Sequence, residues 1–509
     1  MATERIGTSA EGNDEDAKFL ASLGYKQELS RHMGGFSNFA ISFAIICVLA
    51  GGITAFPQAL GAAGGISVGL GWPIGALFAV IVALAMAQIA SAYPTAGGLY
   101  HWSSILGGKG WGWATAWFNL IGLIFVLASV NFGVYDPFFK SFIAPLFGIR
   151  PESLGWGTQT VFIASCTVTQ AILNQYVPRI TMRLTDLSGW LIFAVTVVLM
   201  AALLWTAPHP FHIERLYTFT NFTGADGSPW PKSTGSVGVF LSGLLLTVYT
   251  ITGFDASAHS SEETHNPSRA VPKGILTSVI WSIIFGYLLI CTFVLVMPDV
   301  AQGVKQGSDF FSALLAPLPT WLKVMLGVAI FAINYLCGLA AMTSTSRMMY
   351  AFARDGGLLG SKWLRRVNPR TSTPGPAIWV TTALAIAATL YGDAFVVLST
   401  GCAVLLYLSY IMPTAAGVFA EGNRWTRKGP FDLKAFSRPV GVLAVVGGAV
   451  LVFTGVRPPN EKVLYLVIGL SVILLLLWWV AGLRRRFNGP PLSESVAKDV
   501  PEVLSSASD

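Results

Sequence analysis

Ala50-Gly51-Gly52-Ile53-Thr54 and Thr252-Gly253-Phe254-Asp255 each interrupt a stretch that is otherwise apolar, in two distant parts of the chain. Glycines at mid-membrane depth leave peptide N–H and C=O groups short of helical partners. Lipid cannot satisfy such groups, so interruptions persist where they line a cavity and meet a solute or ion. Two interruptions at matching places in two halves point to a solute-binding site at the bilayer midplane. The competing reading is that the glycines simply let helices pack closely.

Composition agrees with a membrane setting. Of 509 residues, 11% are charged and 53% hydrophobic, against about 25% charged in soluble domains, and mean hydropathy is +0.63. A soluble chain of this length would need charged surfaces that this one lacks. The net charge of +7 comes from Lys and Arg scattered over short loops, which suits the positive-inside rule better than nucleic acid. Cys47, Cys166, Cys291, Cys337 and Cys402 lie in apolar runs without CxxC spacing, which argues against a disulfide framework or metal site. No cleavable leader is expected from the polar first 30 residues, and Asn13-Asp14-Glu15-Asp16 reads as disordered.

A membrane helix takes about 20 mostly apolar residues. Twelve spans are expected, near 36–61, 70–92, 112–135, 157–177, 186–206, 238–260, 274–297, 321–346, 375–392, 394–419, 440–456 and 463–482. Gly392-Asp393 would be a tight turn. The predicted organisation is a tail (1–34), five helices (35–206), an external loop (207–237), five more helices (238–419), a cytoplasmic loop with two extra helices (420–486), and a tail (487–509). Three-quarters of the 32 Lys and Arg fall on the N-terminal side, so both termini are expected in the cytoplasm. Five spans per block invert the second block relative to the first, and each interruption falls in the first helix of its block. That arrangement predicts an inverted repeat.

Four further runs make the chain resemble a known group. Gly253–Pro272 (GFDASAHSSEETHNPSRAVP), Ala90–Tyr100 (ASAYPTAGGLY), Ser346–Gly357 (SRMMYAFARDGG), and Leu23-Gly24-Tyr25 with Glu28-Leu29 resemble the amino acid–polyamine–organocation (APC) superfamily. The likeness is to its amino acid/choline transporter branch, which includes GABA and choline permeases. The resemblance implies an all-α polytopic membrane protein with a LeuT-like 5+5 inverted repeat plus two extra helices, and an amino-acid-type substrate at the two interruptions. On that basis freed N–H groups of Gly51, Gly52 and Ile53, beside Pro57, would favour a carboxylate. The carbonyls of Tyr249, Thr250 and Ile251 would favour an amine. Ala50, Thr54, Thr252 and Phe254 complete the two segments.

Asp255 is an acidic residue at mid-span, and an intramembrane carboxylate is a functional hypothesis by default. The resemblance implies gating or proton sensing for it; it could equally bind the first helix, attract a substrate amine, or only satisfy loose peptide N–H groups. Tyr249 stands where relatives place an aromatic gate, and an aromatic face also attracts cations. Asn119 and Asn334 are polar groups that either face the cavity or hold helices together. Thr343 and Ser344 would offer hydroxyls to an ion, as in sodium-coupled relatives, or cap their own helix. The lysine that some proton-coupled relatives carry in the fifth span is absent from 187–206. Glu262, Glu263 and Arg269, with Arg354 and Asp355, are expected at a cytoplasmic gate, or else form a solvated loop. His101, His259 and His265 read as scattered near the cytoplasmic ends, which counts against an embedded enzyme. No Walker A run and no charged pore lining is present. The expected function is a secondary active transporter of a small amino acid or ω-amino acid such as GABA, with choline, a polyamine or another amine as the alternative. A coupling H+ or Na+ and the lipid bilayer are its expected partners; no cofactor, metal or nucleic acid is expected.

Overall fold

The computed structural model describes residues 15–207, 210–390, 394–458 and 460–491. The Gly392-Asp393 turn, Asn13-Asp14 and residues 492–509 lie outside the described residues. Among those described, nine helices are long and apolar enough to cross a membrane. Helices at Trp156–Tyr176, Ser236–Thr250 and Gly375–Ala388 stand where three more spans are expected. The first of these carries Gln159, Thr160, Ser165, Thr167, Thr169, Gln170 and Asn174, which lowers its hydropathy; the other two are short. No β-strand occurs among the described residues beyond two isolated bridges.

In chain order the helices that position the site are α1 (Gly35–Ile46), α2 (Val48–Thr54), α3 (Phe56–Ala63), α4 (Gly71–Ala92), α5 (Leu99–Gly107), α6 (Lys109–Gly133), α7 (Trp156–Tyr176), α8 (Pro178–Trp205), α9 (Ser236–Gly243), α10 (Leu245–Thr250), α11 (Ala256–His259), α12 (Pro267–Val296), α13 (Thr320–Arg354), α14 (Gly375–Ala388), α15 (Ala394–Ala420), α16 (Ser437–Val456) and α17 (Glu461–Trp479). In Gly35–Thr54, 89% of the apolar stretch is buried, against 11% in α17. The first helix is therefore central, and the last presents its apolar side chains outward, as a lipid-facing helix does. The α15 helix packs on α6 and α16, α12 on α4 and α1, and α13 on α6 and α8.

The first interruption is displaced from the expected place. Residues 48–54 are helical, and the chain breaks at Cys47, whose φ of 30° and ψ of 83° are left-handed. The amides of Ala50 and Gly51 both fold back on to the Cys47 carbonyl, at 2.9 and 3.0 Å. A second bend follows at Ala55, ahead of Pro57, which has no N–H to offer the Ile53 carbonyl. The interruptions thus bracket the glycine pair. Gly51 serves close approach instead: a Cβ there would stand 3.0–3.1 Å from Thr250. The expectation of freed N–H groups at Gly51, Gly52 and Ile53 is corrected accordingly.

The second interruption lies where the sequence places it. Helix α10 ends at Thr250, Ile251 leaves helical geometry (φ −97°, ψ 62°), and α11 resumes at Ala256. Gly253 has φ +88°, and a Cβ there would sit 2.3 Å from Ile45. Only glycine meets both demands.

The N-terminal segment is also corrected. Residues 15–22 are helical and Asp16 accepts from the Asn266 amide at 2.8 Å, so the disordered reading fails for Glu15 and Asp16. Leu20, Leu23, Tyr25, Leu29 and Met33 are buried. Anchoring comes from backbone pairing: His32 and Met33 amides bond the Glu263 carbonyl, and the His265 amide bonds that of Met33. At the other end of the molecule, residues 213–233 cover the C-terminus of α3. The Thr220 and Phe222 amides bond the Ala63 and Ala62 carbonyls, at 3.1 and 3.0 Å, supplying donors that a helix end lacks. Asn221 gives its side chain to this turn through Thr223 and Ser233.

Candidate functional site

The broken segment 251–255 is held by three neighbours. Two tyrosines of α15 satisfy freed peptide groups: Tyr407 donates to the Ile251 carbonyl at 3.1 Å, and the Gly253 amide donates to the Tyr410 hydroxyl at 3.0 Å. The Tyr249 carbonyl is taken by the Thr252 hydroxyl at 2.8 Å. Tyr249 and Ile251, two of the three expected amine-binding carbonyls, are therefore occupied within the protein. From α1, Ser42 donates to the Phe254 carbonyl and accepts from the Ser257 amide, both at 2.9 Å. Asn38 donates to the Ser257 carbonyl and the Thr264 hydroxyl, at 2.9 and 3.0 Å. The two interrupted helices thus form one hydrogen-bonded unit.

Asp255 is fully buried at the centre of this unit. Its Oδ1 accepts from the Tyr410 hydroxyl at 2.8 Å. Its Oδ2 accepts from Asn119 Nδ2 at 2.8 Å and faces His259 Nε2 at 3.2 Å. A buried carboxylate requires partners of this kind. Of the sequence candidates, Asn119, Thr252, Gly253, Phe254 and Asp255 come together here. Phe254 packs on Tyr410, with ring centroids 4.7 Å apart. Tyr249 reaches Ser129 at 3.4 Å from the adjoining turn.

Other candidates serve local ends. Thr54 bonds the Ala50 carbonyl and Asn334 the Ile330 carbonyl, each one turn back on its own helix. Thr343 donates to Asn174 and to the Leu339 carbonyl, while the buried Ser344 hydroxyl has no protein partner. His259, read as scattered, is a direct neighbour of Asp255. Its i,i+4 spacing from Asp255 was the available signal. Tyr407, Tyr410 and Arg347 carried none, since a tyrosine within a span, or an arginine just past the end of one, is ordinary.

Toward the N-terminal side lies a second cluster. Arg354 grips Glu262 with two bonds of 2.9 Å, and the Ala96 amide adds a third to Glu262 at 3.0 Å. Arg347 pairs with Glu263 at 2.7 Å. Asp355 accepts from the Tyr25 and Tyr100 hydroxyls and from His101, at 2.8, 2.9 and 3.0 Å. The Arg354 guanidinium stands 3.9 Å over the Tyr25 ring. Burial pushes the Glu262 carboxyl up, but the Arg354 charge and its hydrogen bonds outweigh that and hold it below the usual carboxylate range. Burial, then the Asp355 charge, drives the Tyr25 phenol well above its usual value. The expected cluster of Glu262, Glu263 and Arg354 is present and buried. Arg269 is exposed, and Arg347 takes the place expected for it.

Comparison with other proteins adds an independent observation. A sequence profile described as amino acid permease matches residues 33–480. The amino-acid permease BAT1 of Arabidopsis thaliana is 32% identical over 501 residues, spanning 92% of this chain and 95% of the relative. Its homolog in Oryza sativa subsp. japonica is 32% identical over 512 residues, covering 94% and 96%. The GABA-specific permease of Saccharomyces cerevisiae is 28% identical over 384 residues, covering 71% and 64%.

Proposed function

Because this chain belongs to the amino acid permease family, and is an integral membrane protein of the APC superfamily, we propose that it is a secondary active transporter. Its substrate is a small amino acid or an ω-amino acid such as GABA. Transport proceeds by alternating access around the two interrupted helices, within twelve spans arranged as a LeuT-like 5+5 inverted repeat plus two. Both termini face the cytoplasm and the protein resides in the cell membrane. Cation coupling, by a proton, or exchange drives it; it carries out no covalent chemistry.

The observation that carries this reading is Asp255, wholly buried in a helix break, yet supplied with donors from α6, α11 and α15. A carboxylate is costly at such depth and is retained where it works. The substrate sits between α2 and residues 251–255, beside α6. Glu262, Glu263, Arg347 and Arg354 close the path on the cytoplasmic side, and their pairs break when it opens. Tyr249, Tyr407, Tyr410 and Phe254 around the break favour a cationic nitrogen, which supports an organic amine or choline as the second reading.

The test is counterflow in liposomes holding the purified chain. Saturable exchange of labelled GABA or alanine against unlabelled solute is expected. Single-channel currents, or a chemically altered product, would overturn the reading. Competition by choline separates the two substrate classes.

A further inference from the structure

The two buried histidines nearest the site differ in what their rings face. His101 turns Nε2 to Asp355 Oδ2 and Nδ1 to the Thr95 hydroxyl. A hydroxyl can donate or accept, so a neutral His101 satisfies both neighbours. His259 is placed differently. Its Nδ1 faces the Ala96 carbonyl at 3.1 Å and its Nε2 faces Asp255 Oδ2 at 3.2 Å. A carbonyl only accepts, so Nδ1 must carry a proton to bond it.

A second proton is then needed between Nε2 and Oδ2. It resides on His259, opposite an Asp255 carboxylate, or on Asp255, opposite a neutral ring; the count is the same. Asn119 and Tyr410 already donate to Asp255, and Tyr410 is committed as donor because its oxygen accepts the Gly253 amide. Those two donors favour the carboxylate form of Asp255. Once the shared proton leaves, a neutral His259 has one N–H for two acceptors. It must release either Asp255 or Ala96.

Ala96 in turn is part of the cytoplasmic cluster, because its amide donates to Glu262, which Arg354 grips. A continuous path therefore runs from the helix break through Asp255, His259 and the Ala96 turn to the Glu262–Arg354 pair. From these contacts we infer that His259 is the coupling residue, and that a single proton shared with Asp255 clamps the helix break to residues 93–98. Proton release frees one end of the clamp, so residues 93–98 are no longer tied to the helix break and the turn that carries the Ala96–Glu262–Arg354 contact is free to move; that links proton loss to opening of the cytoplasmic path. The inference deepens the transporter reading and rests on it for its place in a transport cycle.

The titratable and charged groups around the relay are Asp255 on the same turn, Tyr407 and Tyr410 of α15, Glu262 and Glu263 of the following turn, Tyr100 and His101 of α5, Arg347, Arg354 and Asp355 at the end of α13, and Tyr25 of the N-terminal segment. Glu262 and Glu263 are committed to arginines. The tyrosines remain phenols over the physiological range. The shared site between Asp255 and His259 is thus the member of the set that lacks a second way to satisfy its partners.

The test has two arms on the full chain. In liposomes, GABA and alanine are the probes, with an entrapped pH dye. The wild type is expected to accumulate probe under an imposed pH gradient and to move protons with it. In His259→Gln the ratio of gradient-driven accumulation to counterflow should fall by ~10-fold or more, with a flat pH profile. An unchanged ratio and profile would overturn the inference. The second arm needs no substrate: hydrogen exchange at residues 93–98 over a pH series, corrected for chemical exchange rates. Protection should drop as pH rises in the wild type and stay level in His259→Gln. Should that variant not fold, the wild type still decides, since equal loss of protection in α16 and at 93–98 would refute a local clamp. If neither probe is transported but the pH step at 93–98 appears, the substrate assignment fails and the clamp stands.

Discussion

Replacing Glu262 with glutamine perturbs the buried Glu262–Arg354 pair, which is proposed to close the cytoplasmic side. The Glu262 side chain is wholly buried, and Arg354 is 11% exposed. Glutamine keeps one acceptor oxygen, whereas Glu262 accepts two bonds from Arg354 and one from the Ala96 amide. Its amide N–H₂ would face a donor, and the arginine would lose its counter-charge. Breaking one half of a buried pair costs about 3–5 kcal/mol. Asp355 and the Tyr25 ring remain beside Arg354, so the lower end, about 3 kcal/mol, is expected. If the pair exists only in the closed state, that amount moves the closed–open ratio by roughly 150-fold. Hydrogen exchange of residues 23–33 and 93–98 reads this directly, since both segments depend on the cluster. Both should lose protection in Glu262→Gln and in Arg354→Gln. The double variant removes the stranded charge, so the losses should be non-additive, with a coupling of about 2–4 kcal/mol. Additive losses, or unchanged protection in Glu262→Gln, would refute a closing role for the pair.

Three further outcomes are expected. Gly253→Ala should unfold the break or abolish transport, because its φ is +88° and a Cβ would stand 2.3 Å from Ile45; normal uptake and melting temperature would contradict the close contact. Tyr410→Phe leaves the Gly253 amide and one Asp255 oxygen without their partner, at a cost of about 1–3 kcal/mol, read as a lower melting temperature and reduced counterflow. Acid should weaken the fold in two steps. Burial and then the Arg31 charge hold His265 below its ordinary 6.5, and Glu262 is held below 4.5. A depressed value in either group means stability present above the unfolded value and lost as pH falls through it. Melting temperature should therefore decline below about pH 6.5 and again below about 4.5; His265→Gln should remove the first step and Glu262→Gln the second.

Membrane residence and the second interruption were legible in the chain itself. Long apolar stretches admit few structures, because lipid offers no hydrogen bonds to a bare backbone. The Thr252-Gly253-Phe254-Asp255 run was readable for the same local reason: a glycine interruption beside a mid-span carboxylate needs partners that lipid cannot supply. The approach of Asn119 to Asp255 lay beyond sequence, since 136 positions separate them. So did the donors Tyr407 and Tyr410, and the seat of Glu262 and Glu263 on Arg354 and Arg347.

Gly51-Gly52 shows where local reading ends. The same pair fits a broken helix or a tightly packed one, and what decides is the neighbour. Thr250 occupies the space that a Cβ at Gly51 would need, while the bend passes to Cys47. His259 teaches the same lesson in charge. Its spacing from Asp255 is written in the sequence, but the carbonyl on its far side comes from Ala96, 163 positions away. Sequence determined that the chain belongs in a membrane and where one apolar segment must break, because those follow from local backbone chemistry. Only tertiary structure decided which side chains satisfy the break and which proton it needs, because both depend on what distant helices bring into contact.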